Sequence, residues 1–430
     1  MTSKKTIRRS PRRKKVSRKA KKVSRKVSRK VSRKTVRRSP RKVSRKISRK
    51  KTTSPKKASR KVSRRSPRKK VSRKTQVKKS PFSDLPLSKL QAKAKSMGIP
   101  LYTVMNADQL ASAIDDTTPY SIGWRWKYMK PQLQKKEYNQ AMGLLLSPVR
   151  DLTKYKNTMK YLEKNPVHIT LTTSPVRLSK ILAVLATLDV TYVKEINVVL
   201  PYLYGRNKEP YNESDISKIA EFPKVKIVRT RKDYGPITKM LPVIRKVKNP
   251  KAIVISVDDD VGYNIGTINE LIYQKTERHK NATVETAQGM SLKDHIKDFK
   301  QYWPQKKPIR RPYADLVEGW MGVAYTKGKT DTKDMEKIAD LSKECYLSDD
   351  LVISYVLAKN NIPIVRLDNL YAGRPMSYLY GAGEDALFMG GGMNKKAKVS
   401  LFSDEYNLEK YAICLKDIEK MISKKKKKSK

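Results

Sequence analysis

Ala252-Ile253-Val254-Ile255-Ser256-Val257-Asp258-Asp259-Asp260 is a run of apolar β-formers that ends in three consecutive carboxylates. Apolar residues without alternation predict a strand covered on both faces, so the acids mark the point where the chain leaves the core. In α/β sheets that end of the strand is where ligands bind. Three adjacent carboxylates repel one another. Either a divalent cation neutralises them, or they form an acidic turn that faces solvent. Oxygen-only ligands at this spacing suit Mg²⁺ or Mn²⁺, with water and a substrate phosphate filling the other positions.

Working outward from this stretch, strands and helices alternate from about Pro166. His168 to Thr173 reads as a strand, and Leu178 to Leu188 has helical periodicity. Further strands are expected over Glu195 to Leu200, Val225 to Arg229 and Ala252 to Val257. This alternation predicts an α/β domain, with a mostly parallel sheet and helices on both faces. Residues 166–420 are ample for one hydrophobic core. Ser348-Asp349-Asp350 precedes an apolar helix, Leu351 to Leu357. On residue type alone, Ser348 or Asp349 is equally readable as its N-cap.

The order of five segments resembles nucleotide-sugar-dependent glycosyltransferases of the GT-A fold, family 2-like. They are Ile169-Thr-Leu-Thr-Thr-Ser-Pro-Val-Arg177, Asp233-Tyr-Gly-Pro-Ile-Thr-Lys239, Val257-Asp-Asp-Asp-Val-Gly-Tyr263, Glu318-Gly-Trp-Met-Gly-Val323 and Ser348-Asp-Asp350. The resemblance covers about Val167 to Lys420. It implies a GT-A nucleotide-diphospho-sugar transferase fold, a nucleotide sugar donor, an unknown acceptor and Mn²⁺ or Mg²⁺ as cofactor.

By the same resemblance, Asp260 and Asp258 hold the metal. Thr173, Arg177, Asp233, Lys239, Asp258 and Asp259 meet the nucleotide sugar. Glu318, Gly319, Trp320 and Asp349 line the acceptor side, and Asp350 is the general base of an inverting displacement. Many such enzymes add a C-terminal histidine to the metal site, yet His295 is the last histidine in this chain. Glu384, Asp385 or water would then complete the coordination, from a Gly-rich segment over 380–392 that reads as a lid. Lys239 is otherwise a helix-surface lysine, Tyr234-Gly235-Pro236 a structural turn, and Trp320 a packing plug.

The charge is distributed unevenly. The chain has 430 residues and a formal net charge of +60, and residues 1–80 hold 40 of the 99 Lys and Arg with no acid. The rest carries 59 bases against 39 acids. Val-Ser-Arg-Lys recurs from Val16 to Val71, interleaved with Ser-Pro-basic-basic units at Ser10, Ser39, Ser54 and Ser66. Such a segment has too little apolar area to bury a core and is expected to be disordered. Its charge density suits nucleic acid as a partner, through salt-dependent phosphate neutralisation. The bland alternative is a solubilising or targeting tail. The repeats resemble linker-histone and protamine-like tails. Beside a transferase domain, that combination resembles proteins of large DNA viruses.

Residues 82–116 read as two helices. The first is closed by Gly98, the second is opened by Asn106 or Asp108, and together they resemble SAP-like DNA-binding modules. Residues 117–165, with Trp124 and Trp126, are expected to be a helical connector packed on the following domain, and residues 421–430 a basic C-terminal tail. Cys345 and Cys414 lie far apart with no metal-ligand spacing, which predicts two isolated buried thiols, no disulfide and a reducing compartment. No apolar run reaches about 18 residues and no secretory signal is evident. The expectation is an intracellular protein of host cytoplasm or nucleus, or of the virion, not secreted and without a transmembrane segment. The alternative function is a DNA-binding or DNA-condensing virion protein with a catalytically silent GT-A-like domain. A phosphatase of dehalogenase type is disfavoured, because Asp258-Asp259-Asp260-Val261-Gly262 lacks the nucleophilic Asp-x-Asp-x-Thr pattern.

Overall fold

Ile169 of the first strand lies between Ile196 of the second and Ile255 of the fourth, and all three are fully buried. These strands are β1 (Val167–Thr172), β2 (Glu195–Pro201), β3 (Val225–Thr230) and β4 (Ile253–Ser256). In the computed structural model of the chain, the described residues are 80–285, 292, 296, 299–304, 313–367, 376–377 and 404–428. The basic repeats up to residue 79 and the Gly-rich segment with Glu384 and Asp385 lie outside them.

The remaining strands are β5 (Val261–Gly262), β6 (Thr283–Glu285), β7 (Tyr313–Ala314), β8 (Val323–Thr326), β9 (Ile364–Arg366) and β10 (Met376–Ser377). Eight of the ten strands form a mixed sheet in the order β3-β2-β1-β4-β8-β6-β9-β7, and β10 pairs with β5 in a second ladder. The β3-β2-β1-β4 block is parallel throughout, as the alternation of strands and helices predicts. β8 then pairs antiparallel with both β4 and β6.

Side chains alternate between two cores. Ile253 and Ile255 join one cluster, with helix Ile181–Thr187, while Val254 joins another, with helices Leu241–Lys246 and Asp349–Lys359. The sheet is therefore covered by helices on both faces, and the α/β class is present. Each fully buried aliphatic in these layers contributes about 1.5–3 kcal/mol of transfer free energy.

Register explains why the site forms where it does. Thr170 is paired with Ser256, and the Val257 amide donates to the Thr170 carbonyl, so the ends of β1 and β4 leave the sheet side by side. Ser256 is also paired with Val323. The segment that feeds β8, Glu318 to Gly322, thereby arrives beside the acidic turn.

The two N-terminal helices, Leu87–Ser96 and Ala107–Ile114, close as their sequence requires. Gly98 adopts φ +64°, and Asn106 forms a reciprocal capping box with Gln109. They are not set apart from the rest of the protein, since Leu90, Leu110 and Ile114 belong to the same core cluster as Ile169. Trp124 packs on Phe222, and the buried Arg125 donates to the carbonyls of Ala186 and Leu188 at 2.7 and 2.8 Å. Residues 117–165 thus anchor the amino-terminal helices to the sheet.

The cysteine expectation fails. Both thiols are buried, but they are not isolated: Cys345 and Cys414 form a disulfide, with Cα atoms 5.0 Å apart. Separation in sequence says nothing about distance once a chain folds back. Here the last helix, Asp404–Lys428, returns onto the short helix Lys343–Tyr346. That last helix also runs through the basic stretch from residue 421 to Lys428. No described helix is long and apolar enough to cross a membrane.

Candidate active site

The three acids after β4 do not share one partner. Asp259 accepts from the Thr173 hydroxyl at 2.5 Å and from Arg177 at 2.6 Å, and the same Arg177 nitrogen reaches Asp260 at 3.0 Å. Asp258 instead meets the Lys239 ammonium at 2.7 Å. Thr173 directly follows β1 and Arg177 lies on the turn that begins at Pro175, which brings the first and third sequence segments together.

Lys239 is no surface lysine. It is 4 % exposed and bridges Asp258 to Asp349, which lies 3.1 Å away at the start of helix Asp349–Lys359. Burial works against its charge, yet Asp258, Asp349 and Asp350 hold the ammonium well above the ordinary lysine range. Asp349 is not the N-cap, because it lies inside the first turn. Ser348 caps nothing with its side chain either, and its hydroxyl donates to the Glu344 carbonyl.

Asp350 accepts the Gly319 amide at 3.0 Å through Oδ1. Burial, with Asp349 beside it, pushes this carboxyl well up. Asp260 is likewise pushed up to about 7 by burial and then by Asp259. Asp233 is occupied by the protein itself, accepting the amides of Gly205 and Gly235 at 2.6 and 2.7 Å and the Thr238 hydroxyl at 3.0 Å. Gly235 has φ +74°, and a Cβ there would run into the Tyr346 carbonyl, so both backbone and space require glycine. Asp233 therefore braces the turn that delivers Lys239. Trp320 is 37 % exposed and so is not a packing plug.

Sequence reading missed two supports. The Tyr263 hydroxyl, fully buried, accepts the Asp258 amide at 2.8 Å and donates to the Trp320 carbonyl at 2.9 Å, joining the acidic turn to the segment before β8. Glu285, at the end of β6, accepts the Glu318 amide at 2.7 Å and pairs with Arg366 at 3.1 Å. Burial pushes Glu285 up to about 8. The aromatic directly after the acids was a signal for Tyr263. Nothing local in the sequence marks Glu285, whose partners come from β9 and the β7–β8 connection.

A divalent cation fits this cluster on charge. Asp258, Asp259, Asp260, Asp349 and Asp350 face the cations Arg177, Lys239 and Lys410, which leaves negative charge in excess. Burial is the main cause of the raised carboxyls of Asp259, Asp260 and Asp350, and neighbouring aspartates add to it. Among the described residues no three His, Cys, Asp or Glu gather as a ready ligand set. Asp258 and Asp260 are the residues that would hold a cation there.

No family model matches the chain, and no curated protein matches it in sequence. Among solved structures it is similar to the mannosyltransferase PcManGT from Pyrobaculum calidifontis, in complex with GDP-mannose and Mn²⁺. Identity there is 12 %, coverage 76 % of this chain and 81 % of that one, and TM-score 0.33. It is also similar to residues 1–349 of TarS from S. aureus with UDP, at 13 % identity, 48 % and 59 % coverage and TM-score 0.30. GalNAc-T7 with UDP, GalNAc and Mn²⁺ follows at 11 % identity, 47 % and 42 % coverage and TM-score 0.30.

Proposed function

We propose that the chain is a metal-dependent, inverting glycosyltransferase of the GT-A type, with an amino-terminal arm that binds nucleic acid. The observation that carries this reading is the Lys239 bridge, which joins Asp258 of the acidic turn to Asp349. With the Gly319 amide on Asp350, it sets a diphosphate-facing acid cluster beside a candidate general base.

The chain's own residues account for the steps. Thr173 and Arg177 lie where a nucleotide would enter, and Arg177 offers a planar donor fork suited to phosphate once it leaves the carboxylates. A divalent cation, when bound, offsets the charge that develops on the departing diphosphate. The Gly319 amide fixes Asp350 Oδ1, so Oδ2 is the atom that takes the acceptor hydroxyl's proton. Burial, with Asp349 beside it, raises the proton affinity of Asp350, which favours uptake of the acceptor hydroxyl's proton. Trp320, exposed beside it, offers a flat face for a sugar or other acceptor.

The test is to incubate the full chain with Mn²⁺ and a panel of nucleotide sugars and to measure nucleoside diphosphate release, with and without Asp350→Asn. The full chain is needed because the helices before residue 117 share the core. Release from one donor, lost in the variant, is the expected result. No release and no nucleotide binding would favour a silent domain on a DNA-condensing protein. The arm is tested separately, by the steep loss of DNA affinity with salt expected of residues 1–80.

A further inference from the structure

The segment Glu318 to Gly322 carries its aromatic outward while its backbone is held from beneath at three points. The Glu318 amide donates to Glu285 at 2.7 Å, the Gly319 amide donates to Asp350 at 3.0 Å, and the Trp320 carbonyl accepts the Tyr263 hydroxyl at 2.9 Å. Glycines at both ends of the turn allow this close approach. A Cβ on Gly319 would lie 3.1 Å from Asp350 Oδ1 and 3.3 Å from Lys239 Nζ, and Gly322 has φ +93°. The Trp320 ring is left exposed, whereas Trp124, Trp126 and Trp303 are buried.

Of the three holds, the one from Tyr263 reaches furthest. Its hydroxyl also accepts the Asp258 amide at 2.8 Å, so a single oxygen joins the backbone of the acidic turn to the backbone of Trp320. Tyr263 is itself fixed. It is fully buried directly after β5, and its amide donates to the Thr187 hydroxyl, at the end of helix Ile181–Thr187, at 3.1 Å. Glu285 and Asp350 are carboxyls, whose hold on an amide changes as they gain or lose a proton. The Tyr263 hydroxyl stays neutral, since burial and then Asp258 keep its proton affinity well above the ordinary tyrosine range. Removing a buried hydroxyl that serves two backbone groups leaves both of them short of a partner.

We propose that Tyr263 is a positioning residue for the Gly319–Met321 turn, which fixes the Trp320 ring, and through the Gly319 amide the Asp350 carboxyl, relative to Asp258. The positioning of Trp320 stands on these contacts alone. Its consequence for turnover rests on the transferase reading of Asp350.

The test is the time-resolved fluorescence anisotropy of Trp320 in the full chain, each protein being measured against its own Trp320→Phe partner so that the three buried tryptophans cancel. In the parent the ring should turn only with the whole molecule. Tyr263→Phe keeps the aromatic ring beside Gly322 and removes only the oxygen. It should add a nanosecond component that carries about a third or more of the Trp320 signal. Thr187→Val is the control, because it takes an acceptor from the Tyr263 amide and leaves both hydroxyl contacts. Both variants should lower Tm by a few degrees, and only Tyr263→Phe should free the ring. A ring that stays fixed in Tyr263→Phe, or that Thr187→Val frees equally, overturns the proposal. Should Tyr263→Phe fail to fold, the parent decides: a fixed ring together with a slowly exchanging Asp258 amide supports the proposal, and freedom of either one overturns it. In nucleoside diphosphate release with Mn²⁺, Tyr263→Phe should lower kcat about tenfold and change donor KM less than about twofold, because Thr173 and Arg177 are untouched. A raised donor KM with unchanged kcat would put Tyr263 on the donor side and overturns the proposal. A ring freed by Tyr263→Phe, in a parent that releases diphosphate from no nucleotide sugar, removes the transferase reading and leaves the positioning in place.

Discussion

Asp258 and Asp259 are neighbours in the chain and belong to different halves of the site. Asp259, with Asp260, is closed by Arg177, whose side chain keeps 15 % of its surface exposed and comes from the turn directly after β1. Asp258 is closed by Lys239, which is 5 % exposed at the side chain and also holds Asp349 from much later in the chain. The Arg177 half is assembled from two adjacent strand ends. The Lys239 half ties three segments together around a buried ammonium, although its Asp258 carboxylate is itself 30 % exposed. A cation near solvent can leave its carboxylates for a ligand, whereas one buried among acids is part of the fold.

The largest test of this contrast is Lys239→Met. It strands Asp258, Asp349 and Asp350 together without their shared ammonium, and breaking a buried ionic contact of this kind costs about 3–5 kcal/mol. Urea denaturation should show a loss of that size, with nucleoside diphosphate release abolished. A variant that is as stable as the parent would mean that Lys239 is not structural, and the two halves would no longer differ in kind.

Arg177→Met should cost less, about 1–2 kcal/mol, because Thr173 and solvent still serve Asp259 and Asp260. It should also do what Lys239→Met cannot. With the guanidinium gone, Asp260 faces a dication without competition, so Mn²⁺ affinity read by electron paramagnetic resonance should rise about tenfold, or about 1.4 kcal/mol. Nucleoside diphosphate affinity should fall in the same variant, since the fork that would meet phosphate is lost. Unchanged Mn²⁺ binding would show that Arg177 does not stand in the cation's place.

The same contrast shows what the sequence made legible. The parallel block was readable because buried strands are continuous apolar runs, and Ile253 to Ser256 left little else to infer. The pairing of Thr173 with Asp259 follows from that block, since parallel neighbours end together. The interior half was less readable because it depends on β8 running antiparallel beside β4 and on the last helix folding back. Neither is written in local periodicity: β6, β7 and β9 are only two or three residues long, and Cys414 lies 69 residues from Cys345. The surface-lysine alternative for Lys239 stayed open for the same reason, because its burial is imposed by acids that arrive from elsewhere. Lys410 and Glu285 carried no signal at all.

Glu285 sharpens the comparison by a smaller effect, one that pH can isolate. It braces the Glu318 amide from beneath the segment that feeds β8, with Arg366 offsetting only part of the cost of burial. Its carboxyl is pushed up to about 8 from an ordinary value of 4.5. Between those two values the folded protein holds a proton there that the unfolded chain has released. Raising pH through this window therefore favours unfolding, and the native state loses stability progressively until about pH 8. Glu285→Gln keeps the shape and the acceptor oxygen for the Glu318 amide but cannot ionise. Its Tm relative to the parent should consequently improve by a few degrees between pH 5 and pH 8. A constant difference across that range would mean that Arg366 fully balances Glu285, and that the segment feeding β8 rests on a settled ion pair and not on a carboxyl short of compensation.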